Sequence, residues 1–190
     1  PDAYAQLADF FLLENFDAEK IAGLAADAGM KYVNITTRHH DCFCLWDTAQ
    51  TDYNAVRRGP RRDLVAEYVE ACRAEGLRVG LYYSLMDWHH PDGWRCRHDE
   101  NARRRFLDFT QGCVRELMGN YGPVDILFYD VAMPLPDAEA WEAEKMNDMA
   151  RQLQPHLIIN DRSKRPEDYG TPEGHVAVQE RDWEVVLTTN

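Results

Sequence analysis

An α/β fold built on a parallel sheet is predicted by three observations. Apolar, strand-like runs alternate with amphipathic helical patterns along the chain. Polar and chemistry-bearing residues cluster directly after those runs, as in Tyr32–Thr37 followed by Arg38-His39-His40-Asp41. The predicted αβ turns are short and the βα loops long, which suits a barrel better than an open nucleotide-binding sheet. No linker or low-complexity segment interrupts the alternation. The expectation is therefore one domain over residues 1–190, a parallel (β/α) barrel of TIM type, incomplete or minimised to about four to five βα units against the eight of a full barrel.

Each element has a local reason. Asp17 is a plausible N-cap for a helix with Ile21, Leu24, Ala25 and Ala28 on one face and Gly29 as its stop. The first strand, Tyr32 to Thr37, follows at once. A long loop from Arg38 to Arg62 contains the turn marker Gly59-Pro60. Asp63 caps the next helix, with Leu64, Tyr68, Val69 and Cys72 inward and Gly76 as terminator. The second strand is Arg78 to Ser84, and a polar loop with Pro91-Asp92-Gly93 comes next. The third helix spans about Glu100 to Asn120, with Phe106, Phe109, Cys113 and Leu117 near helical spacing, until Tyr121-Gly122-Pro123 breaks it. Val124 to Tyr129 forms the third strand and ends on Asp130. Asp137 is read as the cap of a fourth helix carrying Trp141, Met146, Met149 and Leu153, stopped by Pro155. Leu157 to Asn160 is the fourth strand. A Pro- and Gly-containing loop then runs through Glu173 to a possible fifth strand around Val185 to Thr188.

Charge and composition narrow the function. A formal net charge of −12 argues against nucleic acid or an anionic membrane surface as partner. The basic run Arg103-Arg104-Arg105 lies inside a predicted helix and reads as a solvated face. The five cysteines are an odd number without scaffold spacing, so no disulfide framework is expected. Cys42 and Cys44 lack a second pair, which weakens a zinc site. No apolar stretch reaches the roughly 18 residues of a membrane span. The odd cysteine count and the lack of a visible signal peptide favour a cytoplasmic location. No Gly-x-Gly-x-x-Gly or phosphate loop follows any strand, and no cofactor is expected.

The residues after the strands suit hydroxyl-rich ligands. Asp130, at the end of a strongly apolar strand, is a candidate nucleophile or general base, with a cap or loop salt bridge as the plainer alternative. With Glu173 it forms a candidate carboxylate pair of the kind that cleaves glycosidic bonds. His39 and His40 are adjacent, as are His89 and His90. Neighbours at a strand end point to opposite sides, so one of each pair is expected to face the site and the other to pack elsewhere. Trp46, Trp88 and Tyr83 are candidates to stack on a sugar ring, and Arg162 to keep a carboxylate ionised. A metal-dependent hydrolase using His39, Asp41, His89 and Asp130 is a second reading. A non-catalytic barrel that binds carbohydrate or self-assembles is a third.

Several ordered segments sharpen the choice. His39-His40-Asp41-Cys42-Phe43-Cys44-Leu45-Trp46 resembles the His-His-Asp-Gly-Phe-x-Leu-Trp signature of family 29 glycoside hydrolases, the retaining α-L-fucosidases. Thr51-Asp52-Tyr53-Asn54, Arg62-Asp63-Leu64-Val65, Gly80-Leu81-Tyr82-Tyr83-Ser84 and Asp87-Trp88-His89-His90-Pro91 also match. So do Asn120 to Asp130, Ile159-Asn160-Asp161-Arg162, Thr171-Pro172-Glu173 and Trp183-Glu184. The resemblance covers about Phe16 to Glu184. It implies Asp130 as nucleophile, Glu173 as acid/base, and His39, His40, Trp46, Tyr83, Trp88, His89, Phe128 and Arg162 around a fucosylated oligosaccharide or glycoside, with no metal. There are departures. Cys42 replaces the usual Gly. Val131 replaces the Gly that commonly follows the nucleophile, so that loop is expected to turn differently. Phe128 stands where a Trp is common. Set against the resembled family, residues 1–190 are expected to lack its first barrel strand, its C-terminal barrel strands and its trailing β-sandwich. Open barrel edges predict a homo-oligomer.

Overall fold

The computed structural model describes residues 2–187. A helical turn, α1 (Asp2–Ala5), runs into a 3-10 helix over Gln6–Phe10. Then come α2 (Ala18–Asp27), β1 (Tyr32–Arg38), α3 (Leu64–Ala74), β2 (Arg78–Ser84), α4 (Glu100–Gly119), β3 (Ile126–Asp130), α5 (Ala143–Leu153) and β4 (Ile158–Ile159). The four strands form one parallel sheet in sequence order. Sequential parallel neighbours joined by helices are the (β/α) unit of a TIM-type barrel. Parallel bridges continue past β4, from Asn160 to Tyr169, Gly170 to Trp183 and Glu173 to Val186. The expected fifth strand is thus reduced to isolated bridges at Trp183 and Val186, and Thr188 lies outside the described residues.

Carboxylates set the helix starts. Asp17, Asp63 and Asp99 each sit in extended backbone and accept the N–H three residues on, from Lys20, Ala66 and Ala102. Satisfying an orphan donor at a positive helix end is worth about 1 kcal/mol. Asp137 does not cap a long helix as expected. It accepts Ala140 N–H at 2.8 Å in a separate turn, and α5 begins only after Glu142, whose backbone is left-handed at φ 48°. Trp141 therefore precedes α5, fully buried.

The core lies between the sheet and α3, α4 and α5, with Leu64, Tyr68, Val69, Cys72, Phe106, Cys113, Leu117 and Met146 all buried as their spacing predicts. The buried side of α2 is not the expected one. Ala18, Ala22 and Ala25 face inward, while Ile21 and Leu24 are 45% and 71% exposed. Small side chains let α2 lie close against α3, so its bulkier apolar residues point outward. The five cysteines are buried free thiols.

Candidate active site

The site forms where β1, β2 and β3 end. The register pairs Ser84 with Asp130 and Tyr82 with Phe128. Side chains alternate along a strand, so Tyr82, Ser84, Phe128 and Asp130 share one face. Tyr83 and Tyr129 share the other, inside the helix-covered core.

Asp130 is 8% exposed and accepts three hydrogen bonds. Tyr82 Oη donates to its Oδ2 at 2.5 Å, Val131 N–H donates to Oδ1 at 2.9 Å, and Arg162 Nη1 also donates to Oδ1. The same Arg162 Nη1 lies 2.9 Å from Glu173 Oε2. Two carboxylates sharing one nitrogen have nearest oxygens no more than two hydrogen-bond lengths apart, roughly 6 Å. An upper limit of that size is compatible with the close spacing of a double-displacement pair, about 5–5.5 Å.

Arg162 is itself held. Its Nε donates to Thr171 Oγ1 at 3.0 Å, its Nη2 to the Thr171 carbonyl at 3.1 Å, and its guanidinium lies 5.3 Å over the Phe128 ring. Asn160 steadies the approach to Arg162, accepting Tyr129 N–H and donating to Tyr129 C=O, both at 2.9 Å. Phe128 is stacked on Tyr82 at 5.7 Å. Burial, reinforced by Asp130, pushes the Tyr82 hydroxyl well above the ordinary tyrosine range, so it remains a donor.

Both His39 and His40 reach this cluster, correcting the expectation that only one would. A bulge between Thr36 and Arg38 ends the regular ladder, and Cys42 turns the chain at φ 69°. Strand alternation no longer applies beyond Arg38. The two rings lie 3.9 Å apart, and a nitrogen of each and an Asp130 oxygen lie within 4.8 Å of one another. His39 stacks on Tyr82 at 5.8 Å, and His40 Nδ1 is 2.6 Å from Ser84 Oγ. Burial and the neighbouring His39 hold the His40 imidazole below its ordinary 6.5. Trp88 is 64% exposed, with its ring edge-on to His40 at 5.4 Å.

Other expected ligands lie elsewhere. Tyr83 is wholly buried beneath the Arg38 guanidinium at 4.7 Å and cannot stack on a sugar. Tyr82, not singled out from the sequence, is the tyrosine that reaches the site, donating to Asp130. The register supplies what the sequence lacked: counting back by two from Ser84, opposite Asp130, gives Tyr82. Trp46 is also fully buried, and its Nε1 donates to Glu116 at 3.0 Å, anchoring the long loop to α4. His89 stacks on Tyr53 at 4.2 Å, and His90 packs on Phe109 at 4.7 Å. The metal set of His39, Asp41, His89 and Asp130 is not assembled. Among the described residues the group spaced for a metal ion is His39, His40 and Asp130, with the Arg162 cation on its carboxylate.

Val131 does not turn the loop away. It takes the left-handed region itself, at φ 40°. Both positions where the resembled signature has glycine, Cys42 and Val131, thus hold non-glycine residues in backbone that glycine adopts freely.

Among the described residues no helix is long and apolar enough to cross a membrane. A family model described as Alpha-L-fucosidase matches residues 2–190. The tissue alpha-L-fucosidase of Mus musculus is 32% identical over 172 residues, covering 84% of this chain and 36% of that protein. Alpha-L-fucosidase isoenzyme 1 from Paenibacillus thiaminolyticus superposes with a TM-score of 0.84 at 36% identity, covering 97% of this chain and 51% of that one. A GH29 alpha-L-fucosidase from Bacteroides thetaiotaomicron gives a TM-score of 0.88 at 32% identity, covering 98% and 48%. The chain spans about a third of the length of the curated relatives it matches, and its sheet corresponds to part of their TIM-like catalytic domain. A match along almost the whole sequence, together with these superpositions, makes this chain a member of the alpha-L-fucosidase family, GH29.

Proposed function

We propose that this chain carries the reacting groups of a retaining glycosidase that removes α-L-fucose from fucosylated glycans or glycosides. The observation that supports this most is the single Arg162 nitrogen bridging Asp130 and Glu173. Asp130, paired with Arg162 and hydrogen-bonded by Tyr82, attacks the anomeric carbon. Glu173, 63% exposed at its side chain, protonates the departing glycosidic oxygen and then takes a proton from the water that releases the sugar. His39, His40 and Trp88 line the hydroxyl-binding side, and Phe128 backs Tyr82 and Arg162. One relative supports the substrate class: two structures of the same point mutant of the alpha-L-fucosidase AlfC hold Fuca(1,6)GlcNAc and 4-nitrophenyl-α-L-fucopyranoside. Self-association, covering the open edges of the sheet, belongs to the same proposal.

The test is release of 4-nitrophenol from the α-L-fucoside beside other aryl glycosides. Asp130→Asn is expected to abolish turnover with the fold intact by circular dichroism. Glu173→Gln is expected to cost about 10²–10⁴-fold on substrates with poor leaving groups. It should cost much less on the nitrophenyl ether, whose departure needs little proton assistance. Full activity of Asp130→Asn would overturn the reading, and binding of fucose without turnover would favour a carbohydrate-binding role.

A further inference from the structure

Ser84 is the last residue of β2, wholly buried beside Asp130 in the register. Its Oγ makes two contacts, 2.6 Å to His40 Nδ1 and 2.9 Å to the carbonyl oxygen of Met86. A serine hydroxyl carries one proton, and a carbonyl oxygen can only accept. The contact with Met86 therefore uses the serine proton, and the contact with His40 must be closed by a proton on Nδ1.

We propose that Ser84 is a positioning residue that holds His40 as the Nδ1–H tautomer and so leaves Nε2 as a bare acceptor for a substrate hydroxyl. The identity of that hydroxyl as a sugar group rests on the fucosidase reading above; the tautomer does not. Among the described residues His40 Nε2 has no hydrogen-bond partner of its own. Trp88 N–H, donating to the His40 carbonyl at 2.9 Å, fixes the backbone from which the ring projects. The consequence for recognition is specific. A ligand group meeting Nε2 must donate, so a methyl ether or a deoxy centre in that place loses the contact.

His90 provides an internal reference. A backbone N–H can only donate, and Asp92 N–H lies 3.0 Å from His90 Nδ1. His90 is therefore the Nε2–H tautomer. One chain thus holds two part-buried histidines, in the loops after β1 and β2, with opposite proton placement.

Two-bond ¹H–¹⁵N correlation spectra of the full chain labelled at histidine, taken at alkaline pH where both imidazoles are neutral, read this directly. His40→Gln and His90→Gln assign the signals. The expected result is a protonated Nδ1 and bare Nε2 for His40, and the reverse for His90. Ser84→Ala is expected to move His40 towards Nε2–H and to raise KM for 4-nitrophenyl α-L-fucoside by up to about tenfold, the scale of one hydrogen bond, with a smaller change in kcat. A protonated Nε2 on His40 in the unmodified chain overturns the assignment, and so does an unchanged tautomer in Ser84→Ala. Because the first spectrum uses the unmodified chain, the tautomer is decided even where the variant does not fold. The expected spectra in a chain that does not hydrolyse the fucoside would overturn the functional reading while supporting the tautomer.

Discussion

Tyr82 and Tyr83 are neighbours with opposite fates. One donates to Asp130, and the other is sealed under Arg38 in the core. Both read as apolar strand residues, so composition could not choose between them. Only the pairing of Ser84 with Asp130 sets which parity faces the ligand. Trp46 shows the same limit, because an aromatic in a signature is as easily an anchor as a stacking platform. Asp130 and Arg162 stood out as candidates because each closes or follows an apolar run, whereas Glu173, in the loop from Tyr169 to Gly174, owed its role to the resemblance. At Val131 the left-handed backbone costs a β-branched residue about 1–2 kcal/mol. Glycine relieves that strain but loosens the unfolded chain. Val131→Gly is therefore expected to raise stability, by about 1 kcal/mol at most. A loss of that size in urea unfolding would contradict it. His40 gives a pH prediction. Its folded value lies below 6.5, so on acidification the unfolded chain takes up the proton first. Stability should fall as pH drops from 6.5 to the folded value and then level off. NMR titration of His40 should show a midpoint below that of free imidazole.

Elements meet at the site through a buried ion pair. Arg38 at the end of β1 lies 3.0 Å from Asp87 after β2, both side chains 1% exposed. Asp87 Oδ1 also accepts the N–H groups of His89 at 2.8 Å and His90 at 2.5 Å. The pair thus ties the loop carrying His39 and His40 to the loop carrying Trp88. Burial alone would raise the Asp87 carboxyl, but Arg38, Cys42 and those N–H groups outweigh it and hold it below the ordinary 3.8. Its stabilising contribution is complete above pH 3.8 and is lost as pH falls through the lower folded value. Asp87→Asn leaves Arg38 buried without its counter-charge and is expected to cost about 3–5 kcal/mol in denaturant unfolding. A change below about 1 kcal/mol would show the pair to be dispensable. Helix starts were legible where a carboxylate stood in extended backbone, as at Asp17 and Asp63. The start of α5 was not. Asp137 accepts Ala140 N–H in a turn before the buried Trp141, and α5 begins only after the left-handed Glu142.

At the scale of the molecule, four parallel strands leave an open sheet whose apolar flanks are not all covered. Ile21 and Leu24 on α2, Tyr32 on β1 and Ile158 on β4 are exposed. A net charge of −12 opposes indiscriminate aggregation, but it is screened by salt. Self-association driven by these flanks is expected to strengthen with ionic strength. Sedimentation equilibrium should give a mass above 22.0 kDa that falls towards it on dilution. A monomer at all concentrations in high salt would remove the oligomer from the proposal.

The sequence alone determined the order of elements, the parallel alternation and the family likeness, and it put forward Asp130 and Arg162 as candidates. These follow from periodicity and from which residues end each apolar run, both local properties of the chain. Tertiary structure decided which tyrosine faces the ligand, that both His39 and His40 converge on Asp130, and that Trp46 and His89 lie elsewhere. It also decided that Ser84 directs a histidine proton. Those outcomes depend on register, on one bulge after Thr36 and on contacts between residues more than forty positions apart, such as His40 with Ser84. A single residue's shift in pairing exchanges the two faces of a strand, and no local pattern fixes that shift.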